Sequence, residues 1–264
     1  MGTEADGNEY WNNYFATSNP NMLFEVQHKK RTLLAALDKI DKKHHENKLR
    51  ILDIAFGFGE LSLQFHKSCY FHGVDINPVA VKRMQLIAKK RGIQGSFRVL
   101  DVSDGNLPYP DAFFDIVICS HVLEHVTNDE GLIESIHRVL KESGIAIMMI
   151  PINERITNRF HVRAYDVSEF MKMVKKKRFK IIYTKKNEKI QNIFWDPLSR
   201  VPARNTGAHK KERIYQKIFL KMLNMISIFL LRVFPLFDEK LPFVEHRNLI
   251  LIGKKEASRR GTIP

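Results

Sequence analysis

Cysteine is scarce in this chain: Cys69 and Cys119 are the two it has in 264 residues. Each falls in or beside an apolar, strand-like run, so a disulfide framework is excluded and a reducing, cytoplasmic setting is expected. Acidic residues are outnumbered. There are 29 Asp and Glu against 43 Lys and Arg, a formal net charge of +14. A long uninterrupted apolar run is also missing, and a membrane span needs about twenty such residues. The best candidate, Ile218 to Phe237, is broken by Lys221 and Arg232, with Asn224 and Ser227 between them. The start, Met-Gly-Thr-Glu-Ala-Asp, is polar and acidic and does not read as a signal peptide. Asp6 stands where N-myristoylation wants Ser or Thr. No internal repeat is visible.

The excess of positive charge is clustered. One group runs from Lys172 through Lys175, Lys176, Lys177, Arg178 and Lys180 to Lys189, and a second from Arg200 to Lys221. Such patches attract anions, whether nucleic acid, acidic lipid, or a carboxylated or phosphorylated substrate, and they are also ordinary solvated surface.

From residue 50 to 150, strand-like and helix-like segments alternate, which predicts an α/β fold with a parallel, doubly wound sheet. In that pattern Ile51-Leu52-Asp53-Ile54 is an apolar run that stops at Ala55-Phe56-Gly57-Phe58-Gly59-Glu60. A strand that ends in a loop of small residues lets a ligand approach the backbone. A second run, Tyr70 to Val74, ends at Asp75, about twenty residues on, the usual place for an acid that takes ribose hydroxyls. A dinucleotide loop would want a third glycine where Glu60 stands, and the glutamate charge would repel a pyrophosphate.

The loop resembles motif I of the class I S-adenosylmethionine (SAM) methyltransferases, with Asp53, Gly57 and Gly59 matching and Ala55 replacing the first glycine. Alanine at that point disfavours positive φ. Phe97-Arg98-Val99-Leu100-Asp101-Val102 is similar to the family's third strand. Leu107-Pro108-Tyr109 through Phe114-Asp115 to Val122-Leu123-Glu124-His125-Val126 resembles its "LPF-x-D-x-SFD-x-V" and "VLEHV" segments. Arg138-Val139-Leu140-Lys141-Glu142-Ser143-Gly144 resembles its "RVLKPGG" turn.

The resemblance implies a Rossmann-like, seven-stranded sheet, with SAM as cofactor and S-adenosylhomocysteine as product. It implies that Ala55, Gly57 and Gly59 pass the methionine part of SAM, that Asp75 takes the ribose, that Ile76 is a further cofactor contact, and that Asn77 and Val102 flank the adenine. Asp101 would meet the adenine amino group. Ser120 and His121 would lie beside the methionine, and Asp53 would order the loop or touch the cofactor.

Candidate catalytic groups are His121 and His161. Candidate substrate contacts are Arg155, Arg159, Arg163 and Tyr165 in the loop after the fifth strand, with Tyr10, Trp11 and Tyr14 closing from the N-terminal segment. Arginines there could clamp a carboxylate or phosphate. His121 and His125 sit four apart around Glu124, but no third metal ligand is evident, so no metal site is expected.

The expected organisation is a lid and helix at 1–45 and a SAM-binding core at 46–188. A helical cap inserted at 189–243 follows, then a last core strand at 244–254 and a tail at 255–264. The insertion is expected because about sixty residues separate the last two strands, too many for a hairpin. The expected activity is SAM-dependent methylation, on oxygen, of an anionic small molecule or short peptide. RNA and membrane-surface lipid or quinone are the rival acceptors, the latter contacted through the insertion. The chain would act as a monomer or homodimer.

Overall fold

The computed structural model describes residues 4–18, 20, 24–38, 48–65, 68–153, 161–187, 222, 225–226 and 248–256. Two helices come first, α1 (Glu4–Thr17) and α2 (Phe24–Leu37). The core follows as β1 (Arg50–Ile54), β2 (Tyr70–Asp75), α3 (Pro78–Arg91), β3 (Gly95–Val99), β4 (Phe114–Ser120), α4 (Asp129–Val139), β5 (Leu140–Pro151), α5 (Val167–Lys176), β6 (Phe179–Asn187) and β7 (Asn248–Lys255). The strands form one seven-stranded sheet in the order β3-β2-β1-β4-β5-β7-β6. Strands β1 to β5 pair in parallel, and β7 runs antiparallel between β5 and β6.

The central strands read as unbroken apolar runs because both of their faces are buried. Leu52 and Ile54, Val117 and Cys119, and Ala146, Met148 and Ile150 face one core with α4 and α5. Ile51, Ile116 and Ile118, with Ile145, Ile147 and Met149, face the other, with α2 and α3. Helix α4 supplies Leu132, Ile133, Ile136 and Val139 from one stripe. Its start is fixed by Asn128, whose side chain accepts from the Gly131 N–H at 3.0 Å. Helix α3 has Asn77 as N-cap, Pro78 in its first turn and Gly92 in the left-handed conformation at its end.

Strand β5 begins at Leu140, five residues before the apolar run that the sequence suggests, and takes in the turn Glu142-Ser143-Gly144. Ser143, exposed, stands at φ 64° where the related motif has glycine. A left-handed non-glycine residue costs about 1–2 kcal/mol, and glycine's extra freedom in the unfolded chain returns about 0.5–1. Ser143→Gly is therefore expected to raise unfolding free energy by about 0.5–1 kcal/mol in urea titration.

The helical cap expected at 189–243 lies outside the described residues, apart from Met222, Met225 and Ile226, which are helical and exposed. The tail beyond Glu256 also lies outside them. Among the described residues no helix is long and apolar enough to cross a membrane.

Candidate functional site

In a doubly wound sheet, ligands bind beyond the carboxyl ends of the strands, where the connections diverge. Here that edge carries unusual backbone. Ala55 after β1, His121 after β4 and Asn153 after β5 all have positive φ, at 51°, 55° and 55°. These strands are neighbours in the sheet, so three strained turns lie side by side at one edge of it. Such strain persists where surrounding structure enforces it, and it clusters at ligand sites.

Ala55 thus adopts the left-handed backbone that its side chain was expected to disfavour. Its N–H bonds to the Val74 carbonyl at 2.7 Å, which holds the turn against β2. Ala55→Gly would relieve the strain but also give up part of a methyl packed on the core and gain unfolded-state freedom. These terms nearly cancel, and the variant is expected within about 0.5 kcal/mol of the parent in the same titration. Gly59 is different. At φ 72°, a Cβ there would meet the Met84 sulfur at 2.5 Å.

Asp75 is the tie of the loop. Its Oδ2 accepts from the Gly57 N–H at 2.8 Å and its Oδ1 from the Asn77 N–H at 2.9 Å. It is 5% exposed, and burial pushes its carboxyl up from the ordinary value despite those two bonds. A carboxylate oxygen accepts about two hydrogen bonds, so each oxygen keeps capacity for a hydroxyl.

Ile76 beside it is 61% exposed, an apolar surface at a polar strand end. Asp101 is exposed beyond β3, with Oδ1 accepting from the Ser103 N–H at 2.8 Å. An acid for a ribose, an exposed apolar side chain and a second acid at the next strand end fit an adenosine.

Two residues expected to flank the adenine are otherwise engaged. The Asn77 side chain caps α3, accepting from Val79 and Ala80, and donates to Asn12 Oδ1 at 2.9 Å. Val102 is buried in the hydrophobic core.

Asp53 lies behind the loop and is buried. It accepts from the Ser62 hydroxyl. Burial pushes its carboxyl up to about 7; the Ser62 bond opposes this and nearby Asp75 adds to it. The folded state therefore holds a proton that the unfolded chain releases above about pH 4. This stability is present below about pH 4 and is lost as pH rises to about 7. His137, on the buried side of α4, has the opposite slope. Burial, then the charges of Lys255 and Arg178, pull it down to about 4, so its contribution is present above about pH 6.5 and is lost as pH falls to about 4. Asp53→Asn keeps an acceptor for Ser62 and removes the first slope. Urea midpoints of Asp53→Asn are expected to rise relative to the parent as pH goes from about 4 to about 7, and a parallel pair of profiles would contradict this.

Helix α1 covers the loop. Phe15 and Tyr14 pack on Phe58, with ring centroids at 5.0 and 5.3 Å, and Trp11 stacks on Phe15 at 6.1 Å. Arg83 of α3 donates to the Phe15 and Ser18 carbonyls at 2.7 and 3.1 Å and lies over the Phe58 ring. The expected lid residues Trp11 and Tyr14 are thus joined to the cofactor loop. Tyr10 lies in α1, and Arg155 and Arg159 lie outside the described residues. The contacts of Phe15, Phe58, Arg83 and Asn12 escaped sequence reading because they join segments distant in the chain.

At the β4 exit, the Ser120 hydroxyl lies 3.5 Å from the Met149 sulfur, and the His121 N–H bonds to the Met149 carbonyl at 2.9 Å. Glu124 is fully buried, with His121 Nδ1 3.2 Å from its Oε1. Burial alone would raise its carboxyl. The contact with His121 and the charges of His121 and His125 outweigh burial and hold it below its ordinary value.

Arg163 and Tyr165, offered by the sequence to a substrate, are clasps on this exit turn. Arg163 donates to the carbonyls of Leu123, Val126 and Thr127 and pairs with Asp129 at 2.8 Å. The Tyr165 hydroxyl donates to Asp129 at 2.7 Å and reaches the Leu123 carbonyl at 3.1 Å. These contacts bring His161 to His125, ring centroids 4.7 Å apart. The pairing of His121 with His125 left no third ligand in view, whereas the fold groups Glu124, His125 and His161.

Residues 52–148 match a family model described as a methyltransferase domain. They form a class I methyltransferase domain. SAM is the cofactor of this class, and the strand ends above fit it. The ubiquinone/menaquinone biosynthesis C-methyltransferase UbiE of Stutzerimonas stutzeri is 36% identical over 127 residues, 46% of this chain and 48% of that protein. UbiE of Azotobacter vinelandii is 35% identical over 104 residues, 38% of this chain and 41% of that protein. The chain spans about half the length of the curated relatives it matches.

Among solved structures, a putative sarcosine dimethylglycine methyltransferase from Galdieria sulphuraria superposes with a TM-score of 0.64 at 11% identity, covering 95% of this chain and 98% of that one. The [4+2]-cyclase SpnF superposes with 0.60 at 18% identity, covering 88% and 83%. These likenesses show the fold. A cyclase among them means that the methyltransferase domain must be assigned its chemistry from its site.

Proposed function

We propose that this chain methylates an oxygen of an anionic small molecule or short peptide, with SAM as methyl donor. The observation that supports the reading most is the Asp75 tie, which shapes the loop after β1 around a carboxylate with free acceptor capacity. When bound, SAM supplies a methyl group already activated on a sulfonium, so the protein's task is orientation and exclusion of water. Asp75 would hold the ribose, Ile76 and Asp101 the adenine, and the turn at Ala55–Gly59 the methionine. Helix α1, locked by Arg83 and the edge-to-face Phe15–Phe58 contact, would shield the donor from water. His121 and His161 stand on the acceptor side, at the exit of β4 and beyond β5.

An anionic small molecule or short peptide remains the acceptor class that the positive charge favours, in a cytoplasmic setting. Arg163 no longer supports a carboxylate clamp, because it is engaged with the β4 exit turn. A quinone-type carbon acceptor is the second reading, favoured by the names of the UbiE relatives. RNA is a third partner class that the charge would suit.

Radiolabelled methyl transfer from SAM to a host extract, split into small-molecule, peptide, lipid and RNA fractions, tests these together. Label in a small-molecule or peptide fraction that is released by mild base supports a methyl ester. Base-stable label in the lipid fraction supports the quinone reading and counts against oxygen. No transfer to any fraction overturns the proposed activity.

A further inference from the structure

The β4 exit turn and the loop beyond β5 bring three metal-ligating side chains into one place. One ligand atom each of Glu124, His125 and His161 lie within 4.8 Å of one another. We propose that these three residues bind a single first-row divalent cation of the zinc or ferrous type, with open positions for acceptor oxygens.

The donor set selects the ion. Two imidazoles and one carboxylate suit zinc in a catalytic site and iron in a facial triad, each leaving positions for water or substrate. Magnesium prefers an all-oxygen shell and keeps its waters. Ligands at about 2.0–2.2 Å from one ion lie about 3–3.5 Å apart. Side-chain rotations of roughly an ångström therefore close the set.

A second observation is the state of Glu124. It is 0% exposed, and neither carboxylate oxygen accepts a hydrogen bond of normal geometry among the described residues. His121 Nδ1 lies to one side at 3.2 Å. Its charge is compensated by the imidazoles of His121 and His125 beside it, and a coordinated cation would compensate the same buried carboxylate directly. His121 is then placed as an outer partner that orients the ligand carboxylate.

The backbone is organised for the same end. The Val162 N–H bonds to the Glu124 carbonyl at 2.8 Å, which fixes the residue next to His161 on the residue that supplies the carboxylate. Arg163 repeats the tie on Leu123, Val126 and Thr127. Two histidines from segments far apart in sequence are thereby held face to edge. The cluster sits on the acceptor side of the crevice, beyond β4 and β5. A cation there would take a hydroxyl, a carboxylate or a pair of adjacent oxygens from the acceptor. That role rests on the methyltransferase reading; cation binding itself does not.

The test uses the untagged full chain, stripped with a chelator and titrated with cobalt(II) chloride. Visible ligand-field bands saturating near one equivalent are expected, displaced by zinc chloride and unaffected by excess magnesium chloride. His125→Ala, His161→Ala and Glu124→Gln should each weaken cobalt binding by more than about 10-fold. Thermal melting checks that each variant folds. His161→Ala, on the outer loop, keeps the test decisive should Glu124→Gln unfold. Absence of saturable bands, or equal binding by the parent and the two histidine variants, overturns the proposal. Calorimetric titration of the stripped chain with SAM tests the cofactor reading separately, so that either failure is recognised for what it is.

Discussion

Asp75→Asn is expected to weaken SAM binding by about 100- to 1000-fold, roughly 3–4 kcal/mol, in isothermal titration calorimetry. Both carboxylate oxygens already accept a backbone N–H, from Gly57 and Asn77. An asparagine has one acceptor oxygen, and its amide NH2 must then face one of those two donors. Whichever way it turns, a buried N–H loses its partner and is opposed by another donor. If the oxygen stays on Asn77, the Gly57 turn loosens and the methionine end of the site loses its shape. If it stays on Gly57, the start of α3 loosens instead. In either case one of the two acceptors available to the ribose is gone. The ligand-free chain should also melt earlier, because the lost bond is buried. Unchanged affinity within about threefold would show that Asp75 shapes the loop without meeting the cofactor.

The second large effect is expected at Arg163. Arg163→Met should lower the unfolding free energy by about 3 kcal/mol in urea titration, with Arg163→Lys recovering part of it. The guanidinium joins three carbonyls of one turn to the first residue of α4, and its side chain is 26% exposed against 16% for Asp129. That exposure reduces the ion pair below a buried one. The carbonyls raise the cost again, since Met leaves them without donors in a partly buried turn. Lysine carries one ammonium and cannot span the same fork. A residue that bound substrate alone would give the opposite result, with melting unchanged and KM raised. The loss of the clasp should also move His161, so Arg163→Met is expected to weaken cobalt binding along with stability.

The sheet was legible in the sequence because strands buried on both faces must be continuous apolar runs, and β1, β4 and β5 are such runs. The SAM loop was legible for a related reason. A backbone that meets a ligand must shed its side chains, and Gly57 and Gly59 mark it. Asp75 and Asp101 could be picked out because each acid closes an apolar run, and Asp53 because it interrupts one just before the loop of small residues. The acceptor side was much less readable. Arginines in a loop look alike whether they face a ligand or a carbonyl. Arg163 and Tyr165 are spent on the β4 exit turn, a choice made by segments about forty residues apart.

Order along the chain therefore determined the fold class, the cofactor loop and the acids at the strand ends, because each is set by local burial and backbone access. Only tertiary structure decided what those residues touch. It put Ala55 into a left-handed turn by bonding it to β2. It committed Asn77 to capping α3, and it set Phe15 against Phe58 over the loop. It also brought His161 beside Glu124 and His125. The reason is physical: propensity and pattern act over a few residues, whereas these contacts are paid for by closing long stretches of chain, and only the packed sheet makes that closure favourable.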